Sequence, residues 1–175
     1  MTIMSRWFLS GGVACCLLCS FVSVSSAQTA VPASSPIPYG MSLSLADAKR
    51  ALQAAEQEAN REGWPVAIAV VDPGGYLVAF SKLDNTQLGS IEVAMQKAKT
   101  ATLYRRTTKE LEDRLIAGGA NLKVLSLPGL PIEGGVPIIV QGKIVGAIGV
   151  SGVQSTQDAQ VAAAGAAALA VPQQP

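Results

Sequence analysis

The chain has 175 residues, a formal net charge of +1 and no histidine. The missing imidazole excludes a Ser-His-Asp triad, a Cys-His dyad, and zinc or haem held by histidine. The near-neutral balance leaves no basic excess to attract nucleic acid or an anionic membrane surface.

Residues 1–27 have the three parts of a cleavable secretory signal. Arg6 supplies the positive start, Phe8 to Val24 is uncharged and mostly apolar, and Ser25-Ser26-Ala27 places small side chains before Gln28. The apolar run falls short of the ~20 residues of a spanning helix, and Gly11 and Gly12 weaken it further. Leu18 before Cys19 argues against lipoprotein processing; Ala14 precedes Cys15, but the apolar stretch ahead of it is very short. Cleavage after Ala27 would remove Arg6 and all three cysteines, Cys15, Cys16 and Cys19. The expected product is a neutral, thiol-free protein, periplasmic or secreted, with no membrane insertion after cleavage. Residues 28–40 are rich in Pro, Ser and Ala without periodicity and read as a flexible linker. Residues 41–170 should form the one folded domain, and residues 171–175 a disordered tail.

Within the domain, Ser44 and Asp47 predict a capping box. Leu45, Ala48, Leu52, Ala55 and Ala59 then share a helical face, and Gly63 supplies the stop. Val66 to Asp72 predicts a strand, Pro73-Gly74-Gly75 a turn, and Tyr76 to Ser81 the returning strand. After a loop over Asp84 to Gly89, Ser90 is the expected cap of a helix with Ile91, Met95, Ala98 and Ala101 or Thr102 inward. Arg105-Arg106-Thr107-Thr108 breaks that helix. Thr107 with Glu110 starts a short one that ends near Gly118-Gly119. Asn121 to Gly135 reads as an irregular loop. Val136 to Val140, a turn at Gln141-Gly142, and Lys143 to Val150 form a second hairpin. Ser155 with Asp158 caps a last, alanine-rich helix. Tight turns force antiparallel pairing, so the fold class is α/β of the α+β kind, an antiparallel sheet of two hairpins covered by helices. Val66 to Val71 is apolar on both faces and should be covered on both, by helices or by a second subunit.

Several residues are candidates for chemistry. Gly74-Gly75 and the series Gly146, Gly149, Gly152 match neither GxGxxG before a helix nor a Walker motif. The first pair reads as turn chemistry; the strand glycines signal close approach by another backbone or a ligand. Asp72, Asp84, Glu92 and Glu133 are candidate acid–base groups, but nothing pairs them, and Asp72 beside Pro-Gly reads as a turn residue. Arg105 and Arg106 at a helix C-terminus are capping cations or an anion site. Tyr76 and Tyr104 are by default ordinary half-buried aromatics, and Met95 core.

Ala69-Val70-Val71-Asp72-Pro73-Gly74-Gly75-Tyr76-Leu77-Val78-Ala79-Phe80 resembles the first hairpin of the GlcG/HbpS haem-binding-protein family. Lys97-Ala98, Thr100-Ala101, Thr108 and Leu111 resemble its central helix and helix break, and Gly134-Gly135-Val136-Pro137-Ile138 its GG-x-P segment. Gly146-Ala147-Ile148-Gly149-Val150-Ser151-Gly152, then Gln157-Asp158 and Gly165, resembles its most recognisable stretch. The resemblance implies a profilin-like sandwich, self-association into dimers or larger rings, and haem as cofactor in at least some members. It also implies, for some, export and redox sensing with a sensor kinase. The chain departs from that pattern in having Tyr76 where members often carry His, Thr107 where a proline is common, and Ala159 where an acid is common. Tyrosinate can replace imidazole on ferric iron.

The sequence is therefore read as an exported, non-enzymatic haem-type ligand-binding protein, in redox sensing or haem handling. Its expected partners are itself and a sensor or transport protein. The expected haem site comprises Tyr76 as the metal ligand with Thr108, Arg105 and Arg106; Thr108 alternatively caps the third helix. Two alternatives stay open: an enzyme or accessory protein acting on a small organic acid or similar metabolite, and a structural oligomer without ligand.

Overall fold

A computed structural model describes residues 35–170. The expected signal over 1–27, the tail over 171–175 and the linker up to residue 34 lie outside the described residues. Helix α1 spans Leu45–Glu62, closed at its start by the Ser44–Asp47 capping box and at its end by Gly63 in the left-handed conformation. Strands β1 (Ala67–Val71) and β2 (Leu77–Lys82) form the first hairpin. Helices α2 (Ser90–Tyr104) and α3 (Thr108–Ala117) follow, then a 3₁₀ segment over Gly119–Ser126. Strands β3 (Gly135–Val140) and β4 (Lys143–Ser151) make the second hairpin, and α4 spans Ser155–Ala170. The strands form one antiparallel four-stranded sheet in the order β2-β1-β4-β3. This is the expected α+β architecture. No described helix is long and apolar enough to cross a membrane.

The alternation of β1 decides which helix covers which face. Ile68 and Val70 point into a core shared with Ala48, Ala51, Ala55 and Ala59 of α1 and Val161, Ala162 and Leu169 of α4. Ala67, Ala69 and Val71 point the other way, onto Ala94, Ala98 and Ala101 of α2. Every residue of β1 is buried, so the chain's own helices cover both faces and no second subunit is needed for that. The α2 face is built from small side chains for a reason visible at Gly149. A Cβ there would run into the carbonyl of Ala94 and the amide of Ala98. At Gly149 the close approach is thus that of a helix backbone, whereas a Cβ at Gly146 would meet Leu43 and the Val71 carbonyl, and one at Gly152 the Pro65 carbonyl.

Some local expectations change. Ser90 does not cap α2: the N-cap is Gly89, with no side-chain bond, and the Ser90 hydroxyl is buried against that of Ser151. Asp158 does not pair with Ser155: it is buried, and its carboxylate accepts the Val153 N–H ahead of α4 while reaching into the core. Leu45 points outward, and Ile91 and Met95 are only half-buried, because Lys97 and threonines occupy part of the buried face of α2. Part of the stretch read as an irregular loop is the 3₁₀ segment. The end of the expected linker is held: Tyr39 bridges Ile144, with backbone bonds from Gly40 N to Ile144 O (2.8 Å) and from Ile144 N to Pro38 O (2.9 Å). Beyond Val71, which pairs with Ala147, the sheet position beside β4 passes from β1 to this segment.

Candidate functional site

The turn between β1 and β2 aims one aromatic outward. Asp72 organises it: its carboxylate accepts the Tyr76 N–H at 2.9 Å, its carbonyl accepts the Gly75 N–H at 2.9 Å, and its own N–H donates to the Tyr76 carbonyl. That is the turn role expected of Asp72. Gly75 has φ +81° and lies so close to α2 that a Cβ there would meet Lys99 Cγ and approach Thr102 Oγ1. The turn is thereby buttressed against the last turns of α2, while the Tyr76 side chain is 75% exposed.

The end of α2 is irregular and cationic. Arg105 takes the left-handed conformation (φ 53°) and its amide closes the helix on the carbonyls of Ala101 and Thr102. Its guanidinium lies over the Tyr39 ring, 5.4 Å from the centroid. The Tyr39 hydroxyl donates to the Thr102 carbonyl at 2.7 Å. Arg106 Nε donates to the Tyr104 carbonyl at 3.0 Å, which is the capping role of a cation at a helix C-terminus. Tyr104 donates its hydroxyl to the Pro128 carbonyl at 2.6 Å. Among the described residues, Lys99, Arg105 and Arg106 have no carboxylate partner.

Thr108 is fully buried, and its hydroxyl accepts the Gly135 N–H at 2.8 Å. The cap of α3 is Thr107, in a capping box with Glu110. Thr108 therefore ties the α2–α3 break to the start of β3 rather than presenting its hydroxyl outward. Asp84 and Glu92 are exposed, and the Glu133 N–H donates to a Glu112 carboxylate oxygen. The four candidate acid–base groups do not assemble into a catalytic pair.

Two residues that sequence reasoning left outside the site form a buried ion pair. Lys97 Nζ lies 2.8 Å from Asp158 Oδ2, the side chains being 2% and 3% exposed. Asp158 Oδ1 also accepts the Val153 N–H at 3.2 Å. Burial pushes the Asp158 carboxyl above the ordinary range, with the Lys97 ammonium and the amides of Val153 and Gly152 pulling it back. A signal was present: a lysine between Ala94, Ala98 and Ala101 on the inward stripe of α2 demands a buried anion.

A cavity of about 680 Å³ lies elsewhere. Met41, Leu43, Val140, Val145 and Leu169 supply its apolar wall, and the Asp47–Arg50 ion pair stands at its edge. Ser44 and Arg50 hold the Asp47 carboxyl below its usual value. A smaller cavity of about 200 Å³ lies on the outer side of α2, between Gln96, Lys99, Thr100, Leu103, Pro128 and Gly129. Among the described residues there is no cluster of three or more His, Cys, Asp or Glu able to hold a metal ion.

The comparisons with known proteins agree with this architecture. Residues 43–167 match the family described as "Haem degrading protein HbpS-like". Protein GlcG of Escherichia coli (strain K12) is 43% identical over 109 residues, 62% of this chain and 81% of that protein. The crystal structure of HbpS superimposes with a TM-score of 0.69 at 32% identity, covering 80% of this chain and 99% of that one. A crystal structure described as a PduOC:heme complex superimposes with a TM-score of 0.67 at 29% identity, covering 73% and 95%. Fold and sequence together settle kinship: the chain belongs to the HbpS-like family.

Proposed function

We propose that the protein binds a haem-type ligand at the outer end of α2, with Tyr76 as the iron ligand. The observation that carries this reading is the state of the tyrosine hydroxyls. Tyr39 and Tyr104 spend theirs on backbone carbonyls, whereas Tyr76 is held only through its backbone N–H and carbonyl and its hydroxyl has no partner among the described residues. Its phenol stands exposed on a turn packed against a helix end that carries three cations without carboxylate partners. That donor set fits ferric haem: a phenolate for the iron, guanidinium and ammonium groups for the propionates, and the exposed Leu77 and Leu103 for the macrocycle. Bound haem would supply a ferric centre at the phenolate. Thr108 serves the site from below, by fixing the break that carries Arg105 and Arg106. The family and the haem complex of a similar structure support the reading.

The test is spectroscopic. Added haemin should give a saturable Soret shift with a high-spin, tyrosinate-type ferric spectrum, and Tyr76→Phe should abolish that signature with the far-UV circular dichroism intact. An unchanged spectrum in Tyr76→Phe removes Tyr76 as the ligand.

The cavity beside Arg50 favours one second reading, a small organic acid held by its carboxylate there, with the protein as an enzyme or accessory to one. Calorimetric titration with small carboxylates, against an Arg50→Gln variant, separates the two. Export and redox sensing with a partner belong to the same proposal. Cleavage after Ala27 is expected to leave Gln28 at the N-terminus, and an intact mass that retains residues 1–27 would remove the export argument.

A further inference from the structure

Arg105 and Arg106 are neighbours in sequence but not in role. Arg106 is tied to a helix carbonyl through its Nε–H. Arg105 lies over an aromatic ring, 5.4 Å from its centroid, and its guanidinium N–H groups have no hydrogen-bond or carboxylate partner among the described residues. The ring that holds it is itself fixed twice, by the 2.7 Å bond from its hydroxyl to Thr102 and by the bridge of Tyr39 to Ile144. Arg105 also adopts a left-handed backbone that favours glycine. A glycine would close α2 with less strain, so the arginine is not explained by the helix end alone. We propose that Tyr39 is the positioning residue of a carboxylate site, holding the Arg105 guanidinium where it meets a carboxylate of the ligand. This rests on the haem reading, in which the carboxylates are the propionates. It adds a residue that precedes the 43–167 family match.

The experiment compares haemin with its dimethyl ester, which keeps the iron and macrocycle and lacks both carboxylates. The wild-type chain is expected to bind haemin about tenfold more tightly than the ester, the loss expected for one charge-assisted hydrogen bond. Tyr39→Ala should weaken haemin binding by about the same factor and leave the ester unchanged. Tyr39→Phe, which keeps the ring, should stay near wild type for both ligands. Arg105→Gly provides a control that folding cannot confound: it should raise the melting temperature by relieving the left-handed arginine and yet weaken haemin binding. Equal affinity of the wild type for haemin and ester, or unchanged haemin binding in Tyr39→Ala and Arg105→Gly, overturns this inference alone. Absence of saturable haemin binding by the wild type overturns the haem reading and this inference with it.

Discussion

Lys97 and Thr108 show how the buried polar residues of this protein act. Each satisfies a partner that the fold places out of reach of water. Removing the Thr108 hydroxyl strands the Gly135 N–H, so Thr108→Val should cost about 1–3 kcal/mol, while Thr108→Ser keeps the acceptor and should cost less. Chemical denaturation of the two variants checks this. Lys97→Met leaves the Asp158 carboxylate buried without its cation, an expected loss of about 3–5 kcal/mol; replacing both partners with apolar residues should recover most of it. The pH dependence follows from the raised Asp158 carboxyl. The native state binds this proton more tightly than the unfolded chain, whose carboxyl titrates near 3.8. Between that value and the raised one the folded protein holds more protons, so stability falls as pH rises through the window. Asp158→Asn should flatten that slope in a series of melts from acid to neutral pH; an unchanged slope would show that another group sets it. Sequence reasoning placed Asp158 as a cap because Ser-x-x-Asp before an alanine run is also the capping signature. Asp158 does turn one oxygen back to the Val153 N–H, but nothing local reveals that the other reaches a lysine 61 residues away.

At the scale of elements, the order and type of the helices and strands were legible because their signals are local. The Ser44–Asp47 and Thr107–Glu110 boxes, the Pro73-Gly74-Gly75 turn and the break after Tyr104 all stand where their residues put them. What was not legible was how α2 meets the sheet. Helical spacing turns Ala98 and Ala101 inward, but with the bulky Ile91 and Met95 rather than Ala94; the face is all small because β1 and β4 answer with Ala67, Ala69, Ala147 and Gly149. Helix and sheet are drawn together nearly backbone to backbone, and the interface tolerates no added volume. Gly149→Ala should therefore cost at least the ~1–3 kcal/mol of an overpacked core, although alanine is the smallest addition available. A melting temperature unchanged by Gly149→Ala would mean that α2 can shift outward freely, and would remove this account of Gly149. The same rigidity serves the site, since the β1–β2 turn below Tyr76 leans on α2 through Gly75 and Lys99.

For the whole molecule, the apolar faces of β1 no longer argue for a second subunit, because α1, α4 and α2 cover them. What still argues for one lies on the other side of α2. Ile116, Leu122, Leu125, Leu127 and Ile132 are between 41% and 78% exposed along α3, the 3₁₀ segment and the loop after it. Large apolar side chains gathered on one stretch mark contact surfaces more often than chance exposure does. The haem reading points the same way. Tyr76 stands on an open surface, and the cavity beside Lys99 is only about 200 Å³. A macrocycle bound there would keep one face in water unless another copy covered it. The expected outcome is a dimer or larger ring at micromolar concentration, seen by light scattering. Leu125→Asp, which places a charge on the exposed apolar stretch without touching the core, should shift the population toward monomer and leave the circular dichroism unchanged. A monomeric wild type would remove self-association and leave the exposed leucines to some other partner. A Leu125→Asp variant that assembles like the wild type would instead move the contact away from α3 and the 3₁₀ segment.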